Sequence, residues 1–250
     1  MKFRKWVKVI FLFLCLAIVI IATEERRSRR LCQQLLIDID NRYENYFVDE
    51  KEVQMLLTDA GSKEVVGIPY PELNLKELEQ RVETNKYIRR AQVYRDVRGN
   101  LLVYAQQNRP VARLLRSGAP DAYISDEGEV LPVSDKYTAR VMVVSGAYVE
   151  RLVRQEADER TKSQQVFELI SFVDKNEFWR AQIAQIDIDK EGEVILYPQV
   201  GKQRIEFGEA NNISEKFNKL DIFYEQVLPR KGWNYYSRVD LKYKDQIVCD

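Results

Sequence analysis

The sequence predicts an α+β protein: a single N-terminal transmembrane helix, a small β-α-α-β-β unit, then a mixed, mainly-β domain with two helices. Three observations predict it. One unbroken apolar run, VIFLFLCLAIVIIA at 9–22, follows a basic head. Two short helical stripes then stand between alternating segments up to Asn108. Beyond Arg109-Pro110 short period-two segments dominate, and only two helical stripes interrupt them.

The head, residues 1–8, carries Lys2, Arg4, Lys5 and Lys8. Counting Trp6, Val7 and Thr23, and letting Lys8 snorkel, the apolar span reaches about 18 residues, the short end of what crosses a bilayer. A cleaved signal peptide is the competing reading. It is disfavoured because Ile20, Ile21 and the EERRSRR stretch at 24–30 offer no small-x-small cleavage site. The expected organisation is a cytoplasmic tail at 1–8, an anchor at 9–23, a juxtamembrane linker at 24–30, and two domains at 31–108 and 109–250. Basic residues flank the anchor on both sides, so the positive-inside margin is small. Past Lys8 the chain has four more acidic than basic residues, which suits an exported body.

Composition narrows the chemistry. The 250 residues hold 39 basic and 39 acidic side chains and no histidine. Nucleic-acid binding relies on a basic surplus that displaces counterions, and there is none. The missing histidine removes Ser-His-Asp and Cys-His catalysis, histidine metal sites and histidine pH switching. Nothing in the pattern asks for a cofactor. Cys15 lies in the apolar run. Cys32 and Cys249 lie at opposite ends of the remaining chain, and either pair in an oxidising compartment or stay free; pairing needs Cα atoms within roughly 7 Å.

In the first domain, 35–39 (LLIDI) reads as a strand. Asp49 with Glu52 makes a capping box, Val53, Leu56, Leu57 and Ala60 follow at helical spacing, and Gly61 stops the helix. Asn74 with Glu77 opens a second helix with Leu75, Leu78 and Val82 on one face. Segments 88–97 and 101–105 alternate around Gly99-Asn100. Neither helix has enough stripe to stand alone, so both must cover one face of a three-stranded sheet.

In the second domain strands are expected at 112–115, 122–125, 129–133, 140–144 and 204–207. Two hairpins echo each other, ISDEGEVL at 124–131 and IDKEGEVI at 188–195. Their acidic clusters lack the ligand spacing of a calcium loop, so they read as solvated turns with Gly at the tight position. Helical stripes run over 163–175 (Val166, Phe167, Ile170, Val173) and 213–228 (Ile213, Phe217, Leu220, Tyr224, Val227), the second ending at Pro229. Residues 238–248 are expected as one closing strand, with Val239, Leu241, Tyr243 and Ile247 on one side and Asp240, Lys242, Lys244 and Gln246 on the other. A terminal strand offers unpaired N–H and C=O groups. Its outward lysines favour an acidic partner segment, or simply guard the edge. A two-carboxylate hydrolase would draw on Asp126, Glu127 or Glu129 with Asp187 or Asp189, all at hairpin turns or on alternating strands.

Four stretches carry a resemblance. They are Phe47-Val48-Asp49; Asn85-Lys86-Tyr87-Ile88 through Ala91, Val93 and Gly99 to Gln107-Asn108-Arg109-Pro110-Val111-Ala112-Arg113; Tyr123-Ile124-Ser125-Asp126-Glu127-Gly128 with Val130 and Pro132; and Ile205-Glu206-Phe207-Gly208, Lys216-Phe217-Asn218-Lys219-Leu220 and Val239-Asp240-Leu241-Lys242-Tyr243. Their order and spacing resemble FtsQ/DivIB, the bitopic bacterial cell-division proteins. The resemblance implies a POTRA domain at 31–108, a C-terminal β domain at 109–250, and a scaffold in place of an enzyme, with no cofactor. It implies a single-pass protein of the inner membrane at the division septum, N-terminus cytoplasmic and bulk periplasmic. The implied partners are FtsB and FtsL, and through them septal peptidoglycan synthesis. The implied docking strand maps to Leu241, Lys242, Tyr243, Lys244, Asp245 and Gln246. The alternative is a POTRA-bearing membrane protein of secretion or outer-membrane assembly; such proteins usually show several POTRA copies or a long barrel, whereas here one copy precedes a mixed domain.

Overall fold

The computed structural model describes residues 14–18, 31–154 and 160–250. Residues 14–18 are helical. The rest of the expected anchor at 9–23, with the tail and the linker, lies outside the described residues. Among those described, no helix is long and apolar enough to cross a membrane. The chain divides into two compact units after Gln107.

The first unit runs β1 (Leu35–Asp40), α1 (Glu50–Leu57), α2 (Leu75–Glu83), β2 (Ile88–Arg95) and β3 (Leu101–Gln107). The sheet order is β1-β3-β2, with β1 parallel and β2 antiparallel to the central strand. The capping box forms as the sequence requires: the Asp49 side chain accepts from Glu52 N–H and the Glu52 side chain from Asp49 N–H. Asn74 caps α2 through Glu77 N–H. Val53, Leu57, Leu78 and Val82 are buried with Ala91, Val93, Val103 and Ala105 of the sheet. Gln107 ties down the segment before α1. Its amide donates to Asn45 O and Asn41 Oδ1, both 2.8 Å, and its oxygen accepts from Val48 N–H.

The second unit holds β4 (Pro110–Leu114), β5 (Ala122–Ser125), β6 (Val130–Pro132), β7 (Met142–Ser145), α3 (Val149–Arg154), α4 (Arg160–Lys175), α5 (Glu177–Gln182), β8 (Ile183–Ile188), β9 (Glu193–Pro198), β10 (Arg204–Glu209), α6 (Ile213–Ile222), α7 (Leu228–Lys231), β11 (Arg238–Asp240) and β12 (Val248–Cys249). One nine-stranded mixed sheet forms, ordered β12-β11-β10-β9-β8-β7-β4-β5-β6. Trp179, Phe217, Leu220 and Phe223 from the helices pack with Ile186, Leu196, Ile205 and Phe207 from the strands in one core. Two glycines are fixed by geometry. A Cβ on Gly146 would fall 2.0 Å from the Ile188 carbonyl oxygen. Gly208, at φ +76°, sits in the β9–β10 bulge.

Three expectations are corrected. The expected pair of helices is joined by α3 and α5, whose six residues each give too short a stripe to read. Pro229 does not end the last helix. Pro229 has no N–H to give the Glu225 carbonyl, and a π turn, Phe223–Val227, with Leu228 N–H on Phe223 O, carries the helix on to Lys231 and Gly232. The closing strand stops at Asp240, as described below.

The echoed hairpins share one turn, and it occurs a third time at 96–100. Ser125 and Asp189 each accept, through a side-chain oxygen, the N–H groups two and four residues on. Asp96 does the same for Arg98 and Asn100, and the Asn100 N–H leads in holding its carboxyl below the usual range. The glycine at each tight position, Gly99, Gly128 and Gly192, has positive φ.

Candidate partner-docking edge

The expected docking residues, 241–246, do not form a strand. β11 ends at Asp240 and lies between β10, which it pairs in parallel, and β12, which folds back on it antiparallel. Asp240 is the cause. It is 1% exposed, and its carboxylate accepts the Lys242 N–H at 2.9 Å, which turns the chain. Leu241 still follows the strand, donating to Glu206 O at 2.9 Å and burying its side chain. Past it the expected alternation fails: Tyr243 is 50% exposed, and Asp245 takes a left-handed φ of 55°. Lys219 of α6 fastens the turn, its Nζ donating to Leu241 O (3.0 Å) and Tyr243 O (2.7 Å).

A charge network crosses β10, β11 and β12. Arg238 grips Glu206 with two bonds (2.8 and 2.9 Å), reaches Asp240 at 2.9 Å and Asp250 at 3.3 Å. Lys242 lies 3.1 Å from Glu206 and 3.6 Å from Asp240. Arg238 above all, with Lys242, pulls the Glu206 carboxyl down to about 2. Glu206 in turn raises Lys242 above its ordinary value. Lys242 is therefore already paired within the chain, whereas Lys244, also exposed, makes no ion pair among the described residues.

The edge itself is β12. Arg238 and Asp250 exchange both main-chain bonds (3.0 and 3.1 Å). Antiparallel alternation then turns the N–H and C=O of Cys249 away from β11. No described strand pairs with β12 on that side. Over the turn that follows β11, a polar groove of about 470 Å³ is lined by Glu193, Glu209, Lys216, Lys219, Tyr243 and Lys244, among others. Lys216 is buried in its wall, its ammonium donating to Glu209 O at 2.7 Å and lying 4.7 Å from the Phe207 ring centre; burial lowers its pKa. The sheet's other edge, β6, is three residues long and ends at Pro132, an arrangement that resists pairing.

One edge of the first unit's sheet, β2, differs again. The Ala91 and Val93 N–H groups of β2 are taken by the Glu83 (3.0 Å) and Glu79 (2.9 Å) carboxylates of α2.

Sequence reasoning missed Lys219, Glu206, Arg238 and the strand Val248–Cys249. No local pattern marks Lys219, which is one of two lysines on its helix. The apolar Ile247-Val248-Cys249 run was the available signal for β12. Three of the five hairpin and strand carboxylates weighed for hydrolysis take different partners. Asp126 meets Arg109 at 3.4 Å, Asp187 accepts from Ser145 Oγ at 2.5 Å, and Asp189 closes its turn. Cys15, Cys32 and Cys249 are free thiols. Among the described residues no cluster of His, Cys, Asp and Glu has metal-holding geometry.

Comparison with known proteins agrees with this architecture. A POTRA-like domain model matches residues 30–105. The model described as FtsQ/DivIB, C-terminal related, matches residues 109–250. No curated protein matches the chain. With more than half its length under that second model, and a POTRA-like domain before it, the chain belongs to the FtsQ/DivIB family of cell-division proteins.

Proposed function

We propose that this protein is a non-catalytic scaffold of the division machinery. Anchored in the plasma membrane by residues 9–23, N-terminus inside and bulk outside, it recruits FtsB and FtsL to the septum and so regulates septal peptidoglycan synthesis. FtsB adds a strand to the outer side of β12. The turn at Leu241, Lys242, Tyr243, Lys244, Asp245 and Gln246 flanks that strand instead of pairing with it. Lys244 and the exposed Tyr243 meet the incoming segment, while Lys242 holds the edge in shape from within.

The observation that supports this reading is the outward main chain of Cys249 at the open end of a nine-stranded sheet. Main-chain bonds to such an edge give affinity without demanding particular side chains. The capped β2 edge speaks against capture of client strands at that strand of the POTRA-like unit, the mode that a secretion or assembly role would favour.

Cys249→Pro tests it. Proline removes the outward N–H and leaves both Arg238–Asp250 bonds intact, so the fold is expected to persist. Capture of FtsB by the full-length chain should fall by about tenfold or more. Unchanged capture by a variant with unchanged melting temperature overturns strand addition at β12.

A further inference from the structure

A second cavity, of about 480 Å³, opens beside the π turn of the last helix, and none of its lining residues belongs to β12 or to the turn at 241–246. Six residues line it: Asn176, Phe178, Asp221, Tyr224, Glu225 and Trp233. Three are aromatic, two are acidic and none is basic.

The rings form an open cage. Phe178 stands at 89° to Tyr224 with centres 6.0 Å apart, and Trp233 at 75° with centres 5.8 Å apart. Tyr224 is buried, yet Phe178 is 50% and Trp233 41% exposed. Large aromatic side chains held this far out of the core, while still packed on a buried ring, leave faces for a ligand. Local structure keeps them there. Asn176 caps α5 by accepting from Trp179 N–H (3.0 Å), which fixes Phe178 in the first turn. The π turn places Tyr224 and Glu225 together, and Gly232, at φ +104°, turns the chain so that Trp233 returns over Tyr224.

Asp221 and Glu225 make no ion pair among the described residues. Burial pushes the Asp221 carboxyl up, and the Glu225 charge adds to it, against a smaller pull from Trp179. Aromatic faces carry negative potential and hold a cation within about 6 Å of a ring centre. Two carboxylates at the rim of three rings complement a group that is apolar along its length and positive at its tip.

We propose that this cavity binds a lysine or arginine side chain presented by a partner polypeptide, its aliphatic stem between Phe178 and Trp233 and its charged head on Asp221 and Glu225. The site is independent of the β12 edge, and stands or falls separately from strand addition.

The test titrates the full-length chain, in detergent, with acetyl-Gly-Lys-Gly-amide, its arginine and norleucine analogues, and n-butylammonium, following the Trp233 indole N–H resonance assigned by a Trp233→Phe variant. The lysine and arginine peptides should shift it saturably, and the norleucine peptide should bind about tenfold more weakly. Glu225→Gln should weaken the lysine peptide about threefold, and Asp221→Asn with Glu225→Gln about tenfold, with the remaining spectrum unchanged. No saturable shift, equal binding of norleucine, or a double variant that binds as well as the parent overturns the site. Equal affinity for n-butylammonium and the lysine peptide assigns it to a small free cation, and overturns the polypeptide partner.

Discussion

At β2 in the first unit, the Glu79 and Glu83 carboxylates of the neighbouring helix sit on the outward Val93 and Ala91 N–H groups. At β12 in the second unit, the outward main chain of Cys249 has no neighbouring strand among the described residues, and the nearby side chains hold the turn behind it. Both are sheet edges that carry the same unpaired groups by construction. One is closed by its own helix and the other is left open. The difference teaches that pairing capacity here is decided by what covers the main chain, more than by how long or apolar the strand is: β12 has two residues and β2 has eight.

The comparison breaks most sharply at Cys249→Pro, where FtsB capture should drop by about tenfold without a change in melting temperature. Opening the closed edge is the next largest effect. Glu79→Ala with Glu83→Ala strips both carboxylates from β2, so unfolding in urea should show a loss of about 1–2 kcal/mol, and the variant should self-associate in sedimentation. A monomer of parental stability would mean those carboxylates do not guard the edge. Lys219→Met removes both donors to the 241–243 carbonyls. It should cost about 1 kcal/mol and lower FtsB capture about threefold, because the turn that presents β12 loosens.

A smaller effect follows from pH. The Glu206 carboxyl is held down to about 2 from an ordinary 4.5. Its stabilising contribution is therefore complete above pH 4.5 and is lost as pH falls toward 2. Glu206→Gln should flatten that part of the acid limb in a melting-temperature series; an unaltered limb would show that the Arg238 and Lys242 contacts add no stability. Smallest of all is Lys244→Glu, an exposed charge with no internal partner. It should lower FtsB capture about two- to threefold at low salt and less at high salt.

Local signals in the sequence carried much of the fold. Asp49 with Glu52, and Asn74 with Glu77, marked helix starts that form the expected caps. The Gly99, Gly128 and Gly192 turns declared three hairpins, because only a residue free to take positive φ fits there. Through these elements the two-part order of the chain was readable. The docking edge was less so. Period-two alternation from Val239 to Ile247 continues on paper through a turn, because the residue that breaks the strand, Asp240, acts by accepting a bond from Lys242 N–H while buried against the charges of Arg238 and Lys242. Lys219, 22 residues before Leu241, reaches it only through the tertiary fold. The Glu79 and Glu83 caps on β2 are likewise ordinary helix-surface glutamates until the sheet is beside them. The π turn arises from Pro229, which sequence reasoning took as a stop because a proline usually ends a helix when no wider turn absorbs it.

The most direct measurement is amide hydrogen exchange on the full-length chain with and without FtsB. Strand addition at β12 predicts new protection at Ile247 and Cys249, the amides facing away from β11, with Ala91 and Val93 of β2 unchanged. Protection that appears on β2, or an unaltered exchange rate at Cys249 in a saturated complex, would contradict it.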